Sequence, residues 1–320
     1  MVIAIVVVLA LVSAVVFSSL NQNEQLHIPT DPWRNTTPSI PESYVQHTAI
    51  IIVNDTDLLM QADEEGWSGN GTESDPILIY GYHIESSENC ITIRNVEIFI
   101  DIQECYLKTD NPNGKGVAVS ESVNVRVSLC TIISGSEGVM INSSSSCIVN
   151  NCTIFANAGI NFTFGMNLLA FGNIVSNSIW GFIIIITNSS EIADNVITDN
   201  EWGIYSQNSD SNLIHWNDIS NNAKGIELEE ICEDWVIFGN TILNNSGIGI
   251  EFDQDVSNIS LSYNRLGLNG ESNAMDNGFA NHWDDGITGN YWSDFYGSGV
   301  YSIPGTAESV DHFPSQLVVG

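Results

Sequence analysis

The chain has 320 residues, enough for one large domain or two ordinary ones, and 43% of them are hydrophobic, which supplies a substantial core. Against 39 Asp and Glu stand only 7 Lys and Arg, for a formal charge of −32. A surface this acidic excludes nucleic acid as a partner, because phosphate binding needs clustered basic side chains, and favours cations, cationic polymers or plain solubility.

Residues 1–20 read as targeting sequence. Val2 to Phe17 is apolar apart from Ser13, and no Lys or Arg precedes it. The stretch is long for a signal-peptide core and short for a span, so cleaved signal peptide and retained N-terminal membrane anchor stay open. Either sends the rest of the chain out of the cytoplasm, to a periplasmic, extracellular or cell-surface location. Residues 21–47, with Pro29, Pro32, Pro38 and Pro41, read as an extended polar linker. Residues 48–88 open with the strand-like Ala49-Ile50-Ile51-Ile52-Val53, continue through a short helix or capping turn over Asp57 to Ala62, and form an N-terminal cap with the first strands.

Residues 89–272 repeat. Gly116, Gly138, Gly159, Gly181, Gly203, Gly225 and Gly249 recur at steps of 22, 21, 22, 22, 22 and 24 residues. A second column follows 14 or 15 residues behind: Cys130, Cys152, Asn173, Asn195, Asn217, Asn240 and Asn264. Two columns sharing one period mean one structural unit stacked many times. In the unit Gly181 to Trp202 three short strands and three turns fit into one repeat, which is a rung of an all-β, right-handed parallel β-helix. Residues one and three after each Gly alternate inward, from Val117 and Val119 to Ile250 and Phe252, and only Ser206 breaks this apolar column. The glycine is assigned to a tight turn needing unusual dihedrals, and the Asn to bends where an inward amide satisfies backbone groups of the next rung. Cys105, Cys130 and Cys152 fall at one repeat position, so an inward stack of free thiols is expected rather than bridges, in-register parallel side chains being poorly aimed at each other. Residues 273–320 form a C-terminal cap.

The entry segment Gly66-Trp67-Ser68-Gly69-Asn70-Gly71-Thr72 with Pro76 and Ile79-Tyr80-Gly81-Tyr82, the rung length, and the exit segment Gly289-Asn290-Tyr291-Trp292-Ser293-Asp294-Phe295-Tyr296-Gly297 resemble the NosD-like parallel β-helix proteins, of the periplasmic copper-binding type. The resemblance spans roughly residues 48 to 314 and implies export and a role in copper or metal delivery. The residues argue against copper: six His are scattered, with no His-x-His or Met-x-Met, and the thiols are assigned to the interior. The acidic calcium-loop-like run that often follows the family's exit signature is missing here, so that segment is assigned to covering the last rung.

The register gathers one surface constellation. Residues two and four after the Gly point outward, which places Glu227, Glu229, Glu251 and Asp253 on one patch with Glu230 and Asp255 nearby. Mutual repulsion is expected to raise some of their pKa values. Beside them Trp180 and Trp202 fall on adjacent rungs, with Lys224 next in line and Tyr205 close. Stacked aromatics beside carboxylates suit a sugar-binding groove, so Trp180, Trp202, Tyr205, Glu227, Glu229, Glu251 and Asp253 form the ligand-binding candidate. Glu229, Glu251 and Asp253 are the oxygen-rich set that calcium would use. No catalytic residue is assigned; Glu227, Glu229 and Asp253 are the candidates were the chain a polysaccharide hydrolase, lyase or epimerase. The reading is an exported, non-catalytic binding or structural module for glycans, cations or a cell-surface protein, requiring no cofactor.

Overall fold

The structure is a computed structural model and describes residues 44–317; the leader and most of the polar linker lie outside the described residues. The chain winds as a parallel β-solenoid of about ten turns, each contributing one short strand to each of three sheets. Sheet A has twelve strands, from Val45–His47 to Ser315–Gln316; sheet B has ten, from Ile50–Ile52 to Ser272–Asp276; sheet C has nine, from Ile77–Tyr80 to Ser260–Ser262. Register is fixed from rung to rung: Trp180 opposes Trp202 and Trp202 opposes Lys224, while Ile183 opposes Tyr205 and Tyr205 opposes Glu227. A parallel pair without slippage places each repeat position above its counterpart, so columns in the sequence become lanes on the surface and stacks in the core.

The core stacks are as the alternation requires. Val117, Val139, Ile160, Phe182, Ile204, Ile226 and Ile250 are all fully buried, as is Ser206, whose hydroxyl donates to the Ile184 carbonyl. All six cysteines are free and buried, and Cys105, Cys130 and Cys152 stack in one interior lane.

The glycine column has a different cause from the one expected. None of the seven adopts a positive φ. Each lies directly under the carbonyl of the residue at its position in the next rung: a Cβ on Gly203 would sit 2.5 Å from the Gly225 oxygen, and one on Gly225 would sit 2.2 Å from that of Gly249. The column is a line of close backbone approach. The left-handed residues lie elsewhere, one before each Cys or Asn at the bend from sheet C to sheet A, including Asn151, Gly172, Asp194 and Gly239.

At that bend the inward amides form a ladder. Asn195 Nδ2 donates to Asn217 Oδ1 at 2.9 Å, Asn217 to Asn240 at 3.0 Å and Asn240 to Asn264 at 3.0 Å, each also reaching a backbone carbonyl. A second ladder, Asn200, Asn222, Asn245 and Asn269, lines the bend from sheet A to sheet B.

Both ends of the solenoid extend past the expected boundaries. Val45–His47, assigned to the linker, is the first strand of sheet A and pairs with Tyr82–Glu85. Residues 48–88 thus complete a first coil interrupted by helix α1, Asp55–Glu65, which is longer than expected. Asn54 caps it by accepting the Asp57 N–H, left-handed Gly66 ends it, and Leu58 and Ala62 enter the core. At the other end Ser272–Asp276 is still a sheet B strand, and the exit segment strand Tyr291–Trp292 continues sheet A. Trp283 and Trp292 are fully buried there, each donating its indole N–H at 2.9 Å to a fully buried carboxylate, of Asp276 and Asp311 respectively. The exit motif therefore closes the apolar core, as its sequence implies. Among the described residues no helix is long and apolar enough to cross a membrane.

Candidate functional site on the outer face of sheet B

Three outward lanes run along sheet B. The lane before the glycines carries Ala158, Trp180, Trp202 and Lys224; the next carries Asn161, Ile183, Tyr205, Glu227 and Glu251; the third carries Thr163, Ile185, Gln207 and Glu229. Trp180 and Trp202 stack, ring centroids 5.9 Å apart and planes 24° from parallel. Both are half-buried. Ile183 and Ile185 extend the apolar surface sideways towards Phe164 and Ile186, which are exposed at the bend beyond the strands.

The polar side is held by side-chain hydrogen bonds. Trp202 Nε1 donates to Glu227 at 2.5 Å. Lys224 Nζ bridges Glu227 and Glu251, 2.9 Å from the latter. Tyr205 Oη donates to Glu229 at 2.6 Å and Gln207 Nε2 donates to the same carboxylate at 3.1 Å. Burial pushes the Glu227 carboxyl above its ordinary range, while Lys224 and the Trp202 indole pull it down. Burial also opposes the charge on Lys224, but its two carboxylate partners outweigh this and hold its pKa up. Burial and the Glu229 carboxylate raise the Tyr205 phenol, so it stays a donor.

Of the residues singled out from sequence, Trp180, Trp202, Tyr205, Glu227, Glu229 and Glu251 come together. Asp253 lies one residue past the strand end at Phe252; its N–H donates to the Leu228 carbonyl, and its exposed carboxylate accepts the backbone N–H of Gln254. Glu227 is buried rather than openly outward, at 6% exposure. Its perturbation arises chiefly from that burial rather than from repulsion, since Lys224 sits between Glu227 and Glu251. Glu229, Glu251 and Asp253 each turn to a different partner, and among the described residues no group of three or more His, Cys, Asp or Glu could hold a metal ion. Gln207, the second donor to Glu229, belongs to the same outward column and was readable from its position alone.

Three parallel sheets wound from rungs of this length define a parallel β-solenoid. The chain belongs to the family described as periplasmic copper-binding protein (NosD), whose model matches residues 92–297. No curated protein matches the sequence at a significant level. Among solved structures it is similar to DFA-IIIase from Arthrobacter chlorophenolicus A6, at 14% identity and a TM-score of 0.53, covering 85% of this chain and 86% of that one. It is also similar to the Dettilon tailspike protein, at 15% identity and a TM-score of 0.50, covering 78% of this chain but spanning only 59% of the tailspike. A periplasmic alginate epimerase follows at 14% identity and a TM-score of 0.49, covering 77% and 72%. At these identities the likeness is one of fold.

The family's description implies copper, and the described residues do not fit it. The histidines are dispersed: His47, His83, His215 and His312 pair with Glu65, Glu85, Glu191 and Asp284, His282 is exposed, and His27 lies outside the described residues. The thiols are sealed in the core, and burial pushes Cys90 up to about 12 and Cys147 and Cys232 up to about 11, which keeps them protonated. A copper ligand must be an accessible thiolate, thioether or imidazole in a close set.

Proposed function

We propose that this protein is an exported, cell-surface β-solenoid that binds glycan chains on the outer face of sheet B without turning them over. The observation that carries this reading is the stacked Trp180–Trp202 pair tied through the Trp202 indole N–H to Glu227. Its aromatic surface suits the apolar face of a pyranose, and the adjoining carboxylates accept from sugar hydroxyls. The side chains are already fixed by one another, so little ordering entropy is lost when a ligand binds. Membership of a family described as periplasmic supports export.

A second reading, a carbohydrate-active enzyme, has one observation in its favour. Glu227 and Glu229 project from the same face of one strand, two residues apart, which at ~3.3 Å per residue sets their Cα atoms about 6.6 Å apart. Two carboxylates this close on one strand, one buried and one half-exposed, are the kind of pair whose environments divide acid and base roles. Binding is preferred because Glu227 is committed to Lys224 and Trp202. A glycan array with product analysis on every hit decides between them. Binding without product, lost in Trp180→Ala and Trp202→Ala, supports the module; product release abolished in Glu229→Gln establishes the enzyme; an array with no hits defeats both.

A further inference from the structure

We infer that the glycan bound on sheet B is a polycationic amino-sugar chain, one whose amines are free rather than acylated; this rests on the glycan reading above. Three features of the face lead to it.

The first is charge. Three carboxylates, of Glu227, Glu229 and Glu251, face a single ammonium, and Lys224 is shared by two of them. Among the described residues Glu229 has no Lys, Arg or His partner; it accepts only from the neutral donors Tyr205 and Gln207. A carboxylate held by neutral donors beside half-buried apolar surface is short of positive charge, and a ligand ammonium supplies it through a charge-assisted hydrogen bond. The same imbalance repels polyuronates and sulfated chains.

The second is the aromatic pair, which is independent of the charge. Trp180 and Trp202 present apolar area to a ring, and Lys224, next in their lane, marks where the face changes from aromatic to charged. A free amine carried on a pyranose satisfies both halves, whereas a metal ion, a polyamine or a neutral sugar satisfies one.

The third is the step. Adjacent rungs are one strand spacing apart, about 4.8 Å, which is close to the length of one pyranose unit. A chain lying along the solenoid axis therefore meets an equivalent lane position with every sugar, passing from the Trp180 rung through Trp202 to the rungs carrying Glu229 and Glu251.

The test uses hexasaccharides titrated calorimetrically into the protein at physiological salt: fully deacetylated glucosamine, its N-acetylated counterpart, a neutral glucose hexamer and oligogalacturonate. The deacetylated hexamer is expected to bind with one-to-one stoichiometry and at least about tenfold more tightly than the N-acetylated one, the worth of one charge-assisted hydrogen bond. Oligogalacturonate is expected not to bind. Glu229→Gln should reduce the preference to about threefold or less while leaving the N-acetylated hexamer's affinity in place. Glu73→Gln, an exposed carboxylate far along the chain, should change nothing. The inference is overturned if the neutral hexamer binds as tightly as the deacetylated one. It is equally overturned if Glu229→Gln and Glu73→Gln behave alike, since the preference would then be diffuse attraction to a protein of charge −32. Failure of the parent reading looks different: no hexamer binds, or Trp202→Ala leaves every affinity unchanged.

Discussion

The indole N–H of Trp202 donates to the carboxylate of Glu227 one rung along, and Lys224 grips the same carboxylate from within its own strand. Glu227 is therefore both the buried charge of the face and the acceptor that orients its aromatic pair. The two roles separate on mutation. Because burial raises the folded-state pKa of Glu227, the stability it contributes is present below the ordinary carboxylate range and lost as pH rises through the raised folded value. Glu227→Gln keeps an acceptor for the indole and abolishes that loss, so stability at neutral pH should be unchanged or slightly higher. Glu227→Ala strands the indole N–H and leaves Lys224 with Glu251 alone, and should cost about 1–3 kcal/mol. Urea denaturation between pH 4 and 8 reads both, and a reversed order would show that the charge, not the acceptor, holds the face together.

The glycine column sets a steric limit that substitution exposes. On Gly203 an added Cβ would meet the Gly225 carbonyl at 2.5 Å and Ile219 Cγ2 at 2.7 Å, neither of which has room to withdraw. Gly203→Ala is expected to destabilise by about 1–3 kcal/mol or more, as overpacking does. Gly66→Ala is a contrasting case: its φ is 72° with nothing within 4 Å of the added atom, so its cost is backbone strain alone, about 1 kcal/mol. Thermal melting of the two variants compares them, and equal small shifts would refute the close-approach account.

The lanes were legible because the rungs stack in register: any two residues at one repeat position oppose each other, which is how Trp180–Trp202 and Glu227–Glu251 follow from counting. Three things were not legible. Lys224 pairs across lanes, a matter of side-chain reach rather than period. For Asp253 the period sets the backbone beside Leu228, one residue past the strand end at Phe252, but does not say that its carboxylate turns to the Gln254 N–H. The steric reason for the glycines depends on where a carbonyl of the next rung points, which no single-chain pattern encodes. The second asparagine ladder was present in the sequence as a period, but in a segment that reads simply as a polar turn.

Within the first ladder Asn217 makes the most interior bonds. It accepts both the N–H and the Nδ2 of Asn195 at 2.9 Å, and donates to the Ile192 carbonyl at 2.9 Å and to Asn240 at 3.0 Å. Asn217→Ala leaves several buried groups unpaired at once, each costing about 1–3 kcal/mol, so a loss of about 3 kcal/mol or more is expected. Because rungs contact only their neighbours, the loss should be local, with amide exchange accelerating around rungs 181–240 before it does near Cys130. Uniform acceleration along the whole solenoid would mean that it unfolds as one cooperative unit.

The thiols give a pH dependence of definite sign. Burial raises Cys90 to about 12 and Cys147 and Cys232 to about 11, and holds Cys130 well above its ordinary value; for Cys105 the neighbouring Cys130 thiol acts first and burial adds to it. The unfolded chain ionises its thiols near pH 8.5 while these five remain protonated in the folded chain. Their contribution to stability is therefore fully present below about pH 8.5 and lost above it, at up to about 1.4 kcal/mol per pH unit for each thiol until its folded pKa is reached. The melting temperature should hold between pH 7 and 8 and fall steeply from pH 9 to 10, and replacing Cys147 by Ala or Ser should flatten that fall by one thiol's share. In native protein at pH 7 a thiol reagent should label none of the six cysteines, and after unfolding without reductant it should label all six. Rapid labelling of Cys105 or Cys130 in the folded state would place those thiols at an accessible surface and reopen a soft-metal role for the stack.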